Sequence, residues 1–174
     1  DSRKAVKSTF ATHAGLRVPP QNIDSERALL GAIMLKPDVM HDIVDIITPE
    51  ACYAEKHRII FNSIMDLFSK GNPIDLLSLS SRLKEKNELV QIGGASYLSE
   101  LVSSVPSASN SVHYAEMVQK KYMLRRLIGA ATEISELGYE EAEDVDVILD
   151  EAEKKMYEVT NSSTAHKFIE IKNT

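Results

Sequence analysis

Tryptophan is absent from this chain, cysteine occurs once, and aromatic residues make up only 6% of its 174 positions. A lone Cys52 rules out an intramolecular disulfide and a cysteine-based zinc site, and reads as a small buried thiol of a reducing compartment. With so few aromatics, the core has to come from Leu, Ile, Val, Ala and Met, which favours helices. Seven glycines and six prolines are too few for the turns of an all-β domain. No apolar run approaches the ~18 residues of a membrane span. The N-terminal residues lack the apolar core of a secretory leader. The chain opens on Asp1 rather than Met, as a trimmed or tagged polypeptide would. Net positive charge is missing too: the balance is −6 and the pI about 5.4, whereas a domain that grips phosphate backbone unaided is normally basic.

Catalytic and ligand-binding patterns are equally scarce. A phosphate-cradling loop needs a Gly-Lys pair after its glycine-rich turn, and the chain contains no Gly-Lys dipeptide. Gly93-Gly94 lacks the later glycine of a dinucleotide loop and reads as a helix-entry hinge. Histidines 13, 41, 57, 113 and 166 form no i, i+4 pair, so metal ligation has no support. The acidic cluster Glu140, Glu141, Glu143 and Asp144 lacks the loop spacing of a calcium site. No catalytic, nucleotide-binding or metal residue is assigned.

What is present is helical punctuation. Residues 1–18 are polar and basic without period, as in a flexible arm. Val18-Pro19-Pro20 is extended, Asn22 suits an N-cap, and Asp24 and Glu26 suit the positive end of a helix over 23–35. Pro37 suits the first residue of a second helix, whose Met40, Ile43, Val44 and Ile47 repeat at i, i+3, i+4, i+7. Thr48-Pro49-Glu50 starts a short turn. His57, Ile60, Phe61, Ile64, Met65 and Phe68 line the next helix, closed by Gly71 as a left-handed cap. Leu76, Leu79 and Leu83 mark another helix, and Ala95–Val102 a further one. These elements form a head over 19–106.

Beyond Val105-Pro106-Ser107 a proline-free pattern runs to Leu137, some 40 Å of helix. Leu124, Leu127, Ala131, Ile134 and Gly138 alternate by three and four, a heptad-like seam. After Gly138, Asp144 caps a second helix with a stripe at Val145, Ile148, Leu149, Ala152, Met156 and Val159. The two read as an antiparallel hairpin over 107–160. Its apolar surface exceeds what two helices cover between them, which makes Leu124, Leu127, Ala131, Ile134, Ile148, Leu149, Ala152 and Met156 candidates for self-association. Lys120, Lys121, Arg125 and Arg126 are basic, while residues 133–158 are acidic. Such blocks can meet within a chain or between chains. Residues 161–174 read as a linker, and Phe168, Ile169 and Ile171 as a segment that docks elsewhere.

The ordered set Val18-Pro19-Pro20-Gln21, Leu30-Gly31-Ala32, Thr48-Pro49-Glu50 with Tyr53 and His57-Arg58-Ile59-Ile60-Phe61, Gly71-Asn72-Pro73-Ile74-Asp75-Leu76, Ile92-Gly93-Gly94-Ala95-Ser96-Tyr97-Leu98, Ser104-Val105-Pro106-Ser107-Ala108 and Leu124-Arg125-Arg126-Leu127-Ile128 resembles the N-terminal domain of bacterial replicative DNA helicases, the DnaB family. Ala165–Ile171 looks like the start of that family's linker. The resemblance implies an all-α domain, a helical head followed by a hairpin. Hairpins pair into dimers, and three dimers form the collar of a hexameric ring. It also implies a RecA-like ATPase domain beyond the linker, which would need ATP and Mg and is not in this chain. The full-length protein would be a cytoplasmic ATP-dependent DNA helicase, touching DNA only as a ring, while this chain carries no cofactor and no catalytic site. The implied partners are itself, the helicase-binding domain of primase and, as an option, a helicase loader, with no membrane involved. Tyr97, Ile128 and Ile134 are the expected primase contacts. The competing expectation is a free-standing helical adaptor or regulator of the replication machinery, of phage or plasmid type.

Overall fold

The computed structural model describes residues 17–172, with side chains described as far as Ser162. The expected arm over 1–18 therefore lies outside the described residues except for Arg17 and Val18. Seven α-helices and no strand occur among the described residues, with single 3-10 turns at Pro37–Val39, Pro49–Ala51 and Ala108–Asn110.

Helix α1 (Ile23–Leu35) is the axle of the head. The Asn22 side chain accepts from the Ser25 N–H at 3.0 Å, and Asp24 and Glu26 stand in the first turn, so cap and dipole favour a start here. The run Leu29–Met34 is buried without a break, as befits a helix surrounded by others. Around it pack α3 (Glu55–Ser69), α5 (Gly94–Ser104) and the first half of α6 (Ser111–Leu137). Helix α4 (Leu76–Glu85) bridges α3 and α5. Its N-cap is Asp75, which accepts from the Ser78 N–H at 2.7 Å. Arg82 and Lys86 reach Asp66 on α3 at 3.0 and 3.5 Å. Burial opposes ionisation of Asp66, but these two cations outweigh it and hold its carboxyl below the usual range. Gly71 closes α3 at φ +67°, and the Asn72 N–H returns to the Leu67 carbonyl at 2.9 Å.

Two segments differ from the sequence expectation. The helix expected from Pro37 through Ile47 is broken into a 3-10 turn and one α-turn, α2 (Met40–Ile43). Thr48 must be extended because Pro49 follows it, so the chain tightens before reaching it, with the Ile46 N–H bonding to Ile43. Met40, Ile43 and Ile47 are buried all the same. At the other end, helix α7 (Val145–Lys172) continues through residues read as linker. Asn161-Ser162-Ser163-Thr164 looked like a break, but these residues cost only ~0.5 kcal/mol each in a helix, and no Gly or Pro stops it. The side chains of Phe168, Ile169 and Ile171 lie outside the described residues.

The hairpin forms as expected. Ser111, Ala115 and Val118 bury the first half of α6 in the head, and its second half projects and pairs with α7. Asp144 caps α7 by accepting from the Asp146 N–H at 3.0 Å. None of the described helices is long and apolar enough to cross a membrane.

Candidate interaction surface

Register within the hairpin is set by Lys155 and Glu133, whose charged atoms lie 2.7 Å apart, and by Arg126, which donates to the Glu158 carbonyl at 3.3 Å. The covered positions are Met123, Ala130, Ile134 and Leu137 on α6 and Ile148, Ala152, Lys155 and Val159 on α7. The α6 positions are spaced seven, four and three apart and the α7 positions four, three and four, so each set lies on one face and the two face each other. This divides the self-association candidates. Ile134, Ile148 and Ala152 turn into the seam between the two helices. Leu124, Leu127, Ala131, Leu149 and Met156 stay outside it, joined by Ile128. The large apolar side chains among them are between 37% and 56% exposed.

These outward residues form one surface. On α6 the spacing 124, 127, 128, 131 is i, i+3, i+4, i+7, about 100° around the helix from the seam. On α7, Val145, Leu149 and Met156 lie about 80° from the seam, displaced in the same rotational sense. Because the helices are antiparallel, equal displacements emerge on the same side of the hairpin.

Next to this surface, where α6 leaves the head, is an open pocket of about 810 Å³. Arg17, Val18, Pro19, Cys52, Tyr53, Arg58, Tyr122, Arg125 and Ile128 are among the residues that line it. Arg125 knots three segments together. It donates to the carbonyls of Pro20 at 2.8 Å and Ala51 at 2.7 Å, and its guanidinium lies 5.4 and 5.7 Å from the rings of Tyr53 and Tyr122. Arg58 donates to the carbonyls of Cys52 and Tyr53 at 3.0 and 2.8 Å. Among the described residues neither arginine forms an ion pair with a carboxylate, so two undischarged cations meet a mostly apolar wall. Burial pushes the Cys52 thiol far up, which makes it a packing group rather than a nucleophile.

The pocket wall rests on a buried polar chain. Glu26 accepts from the N–H groups of Tyr53 and Ala54 at 2.8 and 3.2 Å, and its Oε1 lies 2.9 Å from His57 Nδ1. His57 Nε2 lies 2.6 Å from the Tyr97 hydroxyl. A carboxylate has no proton to give, so Nδ1 is the donor to Glu26. Tyr97 is therefore a core residue, only 8% exposed, with Lys56 Nζ 4.0 Å from its ring centre. Of the three expected primase contacts, Ile128 stands out in solvent, Ile134 is half-covered in the seam and Tyr97 is inside the head. The structure does not bring the three together on one open surface. The sequence reading quoted Tyr53 and Arg58 only within the family resemblance and gave them no role at a site, passed over Tyr122, and took Glu26 for a helix-end charge. No group of residues among those described could hold a metal ion.

The description "DnaB-like helicase N terminal domain" matches residues 18–120. The chain belongs to this family. It is 41% identical over 157 residues to the replicative DNA helicase DnaB of Geobacillus stearothermophilus, covering 90% of this chain and 35% of that protein. It is 40% identical, with the same coverage, to the replicative DNA helicase DnaC of Bacillus subtilis. The chain thus spans about a third of the length of these relatives. Among solved structures, the N-terminal domain of DnaB helicase from Mycobacterium tuberculosis superposes with a TM-score of 0.78 at 35% identity, covering 81% of this chain and 99% of that one. A DnaB-like replicative helicase described with its interactions with primase gives 0.69 at 32% identity, covering 81% of this chain and 31% of that one. The all-α head and hairpin are those of a DnaB N-terminal domain.

Proposed function

We propose that this chain is the assembly and docking module of a bacterial replicative DNA helicase, acting in the cytoplasm. It pairs with itself through the face of Leu124, Leu127, Ala131, Leu149 and Met156, and receives primase at the hairpin base, where Ile128 lines the pocket. Three such pairs would make the collar of a hexamer. Unwinding, with its ATP and Mg, would belong to a motor domain elsewhere in the full-length protein, and a loader is a further candidate partner. The observation that carries this reading is the continuous apolar face on the projecting hairpin. A surface of this kind on an acidic chain calls for another protein rather than for nucleic acid.

Self-association is tested with Leu127→Glu. Leu127 is 42% exposed, so the isolated fold should tolerate the change, while a carboxylate desolvated at a contact costs several kcal/mol. Sedimentation equilibrium should show concentration-dependent mass for the parent chain, and association at least about thirtyfold weaker for the variant, an expected loss of about 2 kcal/mol or more. Equal association of the two would sink the hairpin-pairing reading.

Primase binding gives a second test. Ile128→Ala should weaken binding of the primase helicase-binding domain by about 1–2 kcal/mol with the melting temperature nearly unchanged. Tyr97→Ala should instead lower the melting temperature, because it empties a core position and strands the ring nitrogen of His57. Undiminished primase binding by stably folded Ile128→Ala would remove Ile128 from the contact.

A further inference from the structure

The pocket at the hairpin base is a basic hollow in an acidic chain. Arg17, Arg58 and Arg125 line it together with one carboxylate, Glu50, whereas the whole chain carries a net charge of −6. None of the three guanidinium groups forms an ion pair with a carboxylate among the described residues. Backbone carbonyls fix two of them: those of Cys52 and Tyr53 hold Arg58, and those of Pro20 and Ala51 hold Arg125. A guanidinium has more N–H donors than two carbonyls consume, so both arginines keep donors for an anion in the pocket. Being held in place already, they lose little freedom on binding one.

The remaining walls suit a flat ring. Tyr53 and Tyr122 offer aromatic faces, and Val18, Pro19 and Ile128 offer apolar edges. The volume of about 810 Å³ is that of a small-ligand site. Gly129 completes the floor. A glycine in mid-helix costs helix stability, and packing within this chain does not require it: nothing lies within 4 Å of the place where its Cβ would be. What its missing side chain does is leave the hollow open.

We propose that this pocket binds a free mononucleotide. The base stacks on a tyrosine ring, the phosphates take the open N–H groups of the arginines, and Glu50 accepts from the ribose hydroxyls. Each part of the lining has its counterpart in such a ligand. An acidic peptide would use the arginines but set its own carboxylates against Glu50, and an apolar ligand would leave the cations unused. A long nucleic-acid strand would meet the negative charge of the rest of the chain. No glycine-rich phosphate loop is needed, because the phosphate partners are side chains. The site stands apart from the docking reading above, although Ile128 borders both.

The test is calorimetric titration of the whole chain with ADP and GDP, and separately with adenosine, guanosine and inorganic pyrophosphate. At least one nucleotide should bind saturably, and about tenfold or more tightly than its nucleoside or pyrophosphate, since only the intact ligand uses ring and anion contacts together. Gly129→Leu fills the floor and should weaken that binding about tenfold or more without lowering the melting temperature, leucine being the better helix former. Arg17→Glu, at the exposed rim, is the second variant and should weaken binding about fivefold. Arg58 and Arg125 stay, because they hold the backbone of the pocket. Absence of saturable binding for both nucleotides up to about 1 mM overturns the proposal. So does pyrophosphate binding as tightly as the nucleotide, which would mark an anion held by surface charge alone. Parent-like binding by folded Gly129→Leu, or by Arg17→Glu should the leucine variant fail to fold, puts the nucleotide elsewhere and overturns it too. Tighter binding of a short single-stranded oligonucleotide than of either nucleotide would assign the pocket to a strand instead, against the proposal.

Discussion

Replacing Glu26 by Ala should cost about 3–5 kcal/mol, the largest loss expected from a single polar substitution in this chain. The reason lies in what remains behind. Two backbone N–H groups, of Tyr53 and Ala54, and the Nδ1 side of His57 all end on this carboxylate. Glu26 is 1% exposed and His57 is fully buried, so water cannot replace the lost acceptor. For a chain of this size the expected drop in melting temperature is about 10 °C or more. Glu26→Gln keeps one acceptor oxygen in place and should fall between the parent and the Ala variant. Thermal and urea melts followed by circular dichroism decide the matter. A shift below about 2 °C for Glu26→Ala would show that the carboxylate is not the keystone of the Tyr53–Ala54 turn. The substitution should also reach the interaction surface, because Tyr53 lines the arginine pocket. Loosening that turn removes one wall.

Much of the architecture was readable from local chemistry. Asn22 and Asp144 cap the helices they were expected to cap, and Gly71 takes the left-handed conformation expected of a closing glycine. The features that were not readable share a cause: they depend on which of two acceptable neighbours a residue meets. The second half of α6 carries two apolar stripes about 100° apart. Both satisfy a three–four spacing, so periodicity could not say that Ile134 faces α7 while Leu124 and Leu127 face outward. Composition favoured a linker at Asn161-Ser162-Ser163-Thr164, but helix penalties of a few tenths of a kcal/mol do not stop a helix already propagating from Asp144. Glu26 was the more legible omission. It lies three and four residues before Leu29 and Leu30, on the buried side of α1, and a charge on such a stripe signals buried partners. The arginine pocket left no comparable signal, because its walls come from segments around residues 18, 53 and 125 that only the tertiary fold brings together.

Gly31 supplies the second large effect, with a sign opposite to that of helix propensity. In an open helix, Gly→Ala stabilises by about 1 kcal/mol. Here α1 and α5 approach so closely that a methyl group on Gly31 would collide with the Leu101 carbonyl oxygen and with Cγ2 of Val105. One obstacle is backbone, which cannot swing aside, and the other is a buried β-branched side chain with little rotamer freedom. To admit the methyl, α5 must move away from α1, opening the close seam between the two helices. The overpacking cost of such a shift is about 1–3 kcal/mol and reaches the upper end where backbone must move. The net expectation for Gly31→Ala is a loss of about 2 kcal/mol. Gly129 provides the contrast within the same chain. It lies inside α6, and nothing stands within 4 Å of where its methyl would be, so Gly129→Ala should raise stability by about 0.5–1 kcal/mol. Urea midpoints for the two variants should therefore move in opposite directions. If both rise, the α1–α5 seam can yield, and close packing is not what requires glycine at position 31.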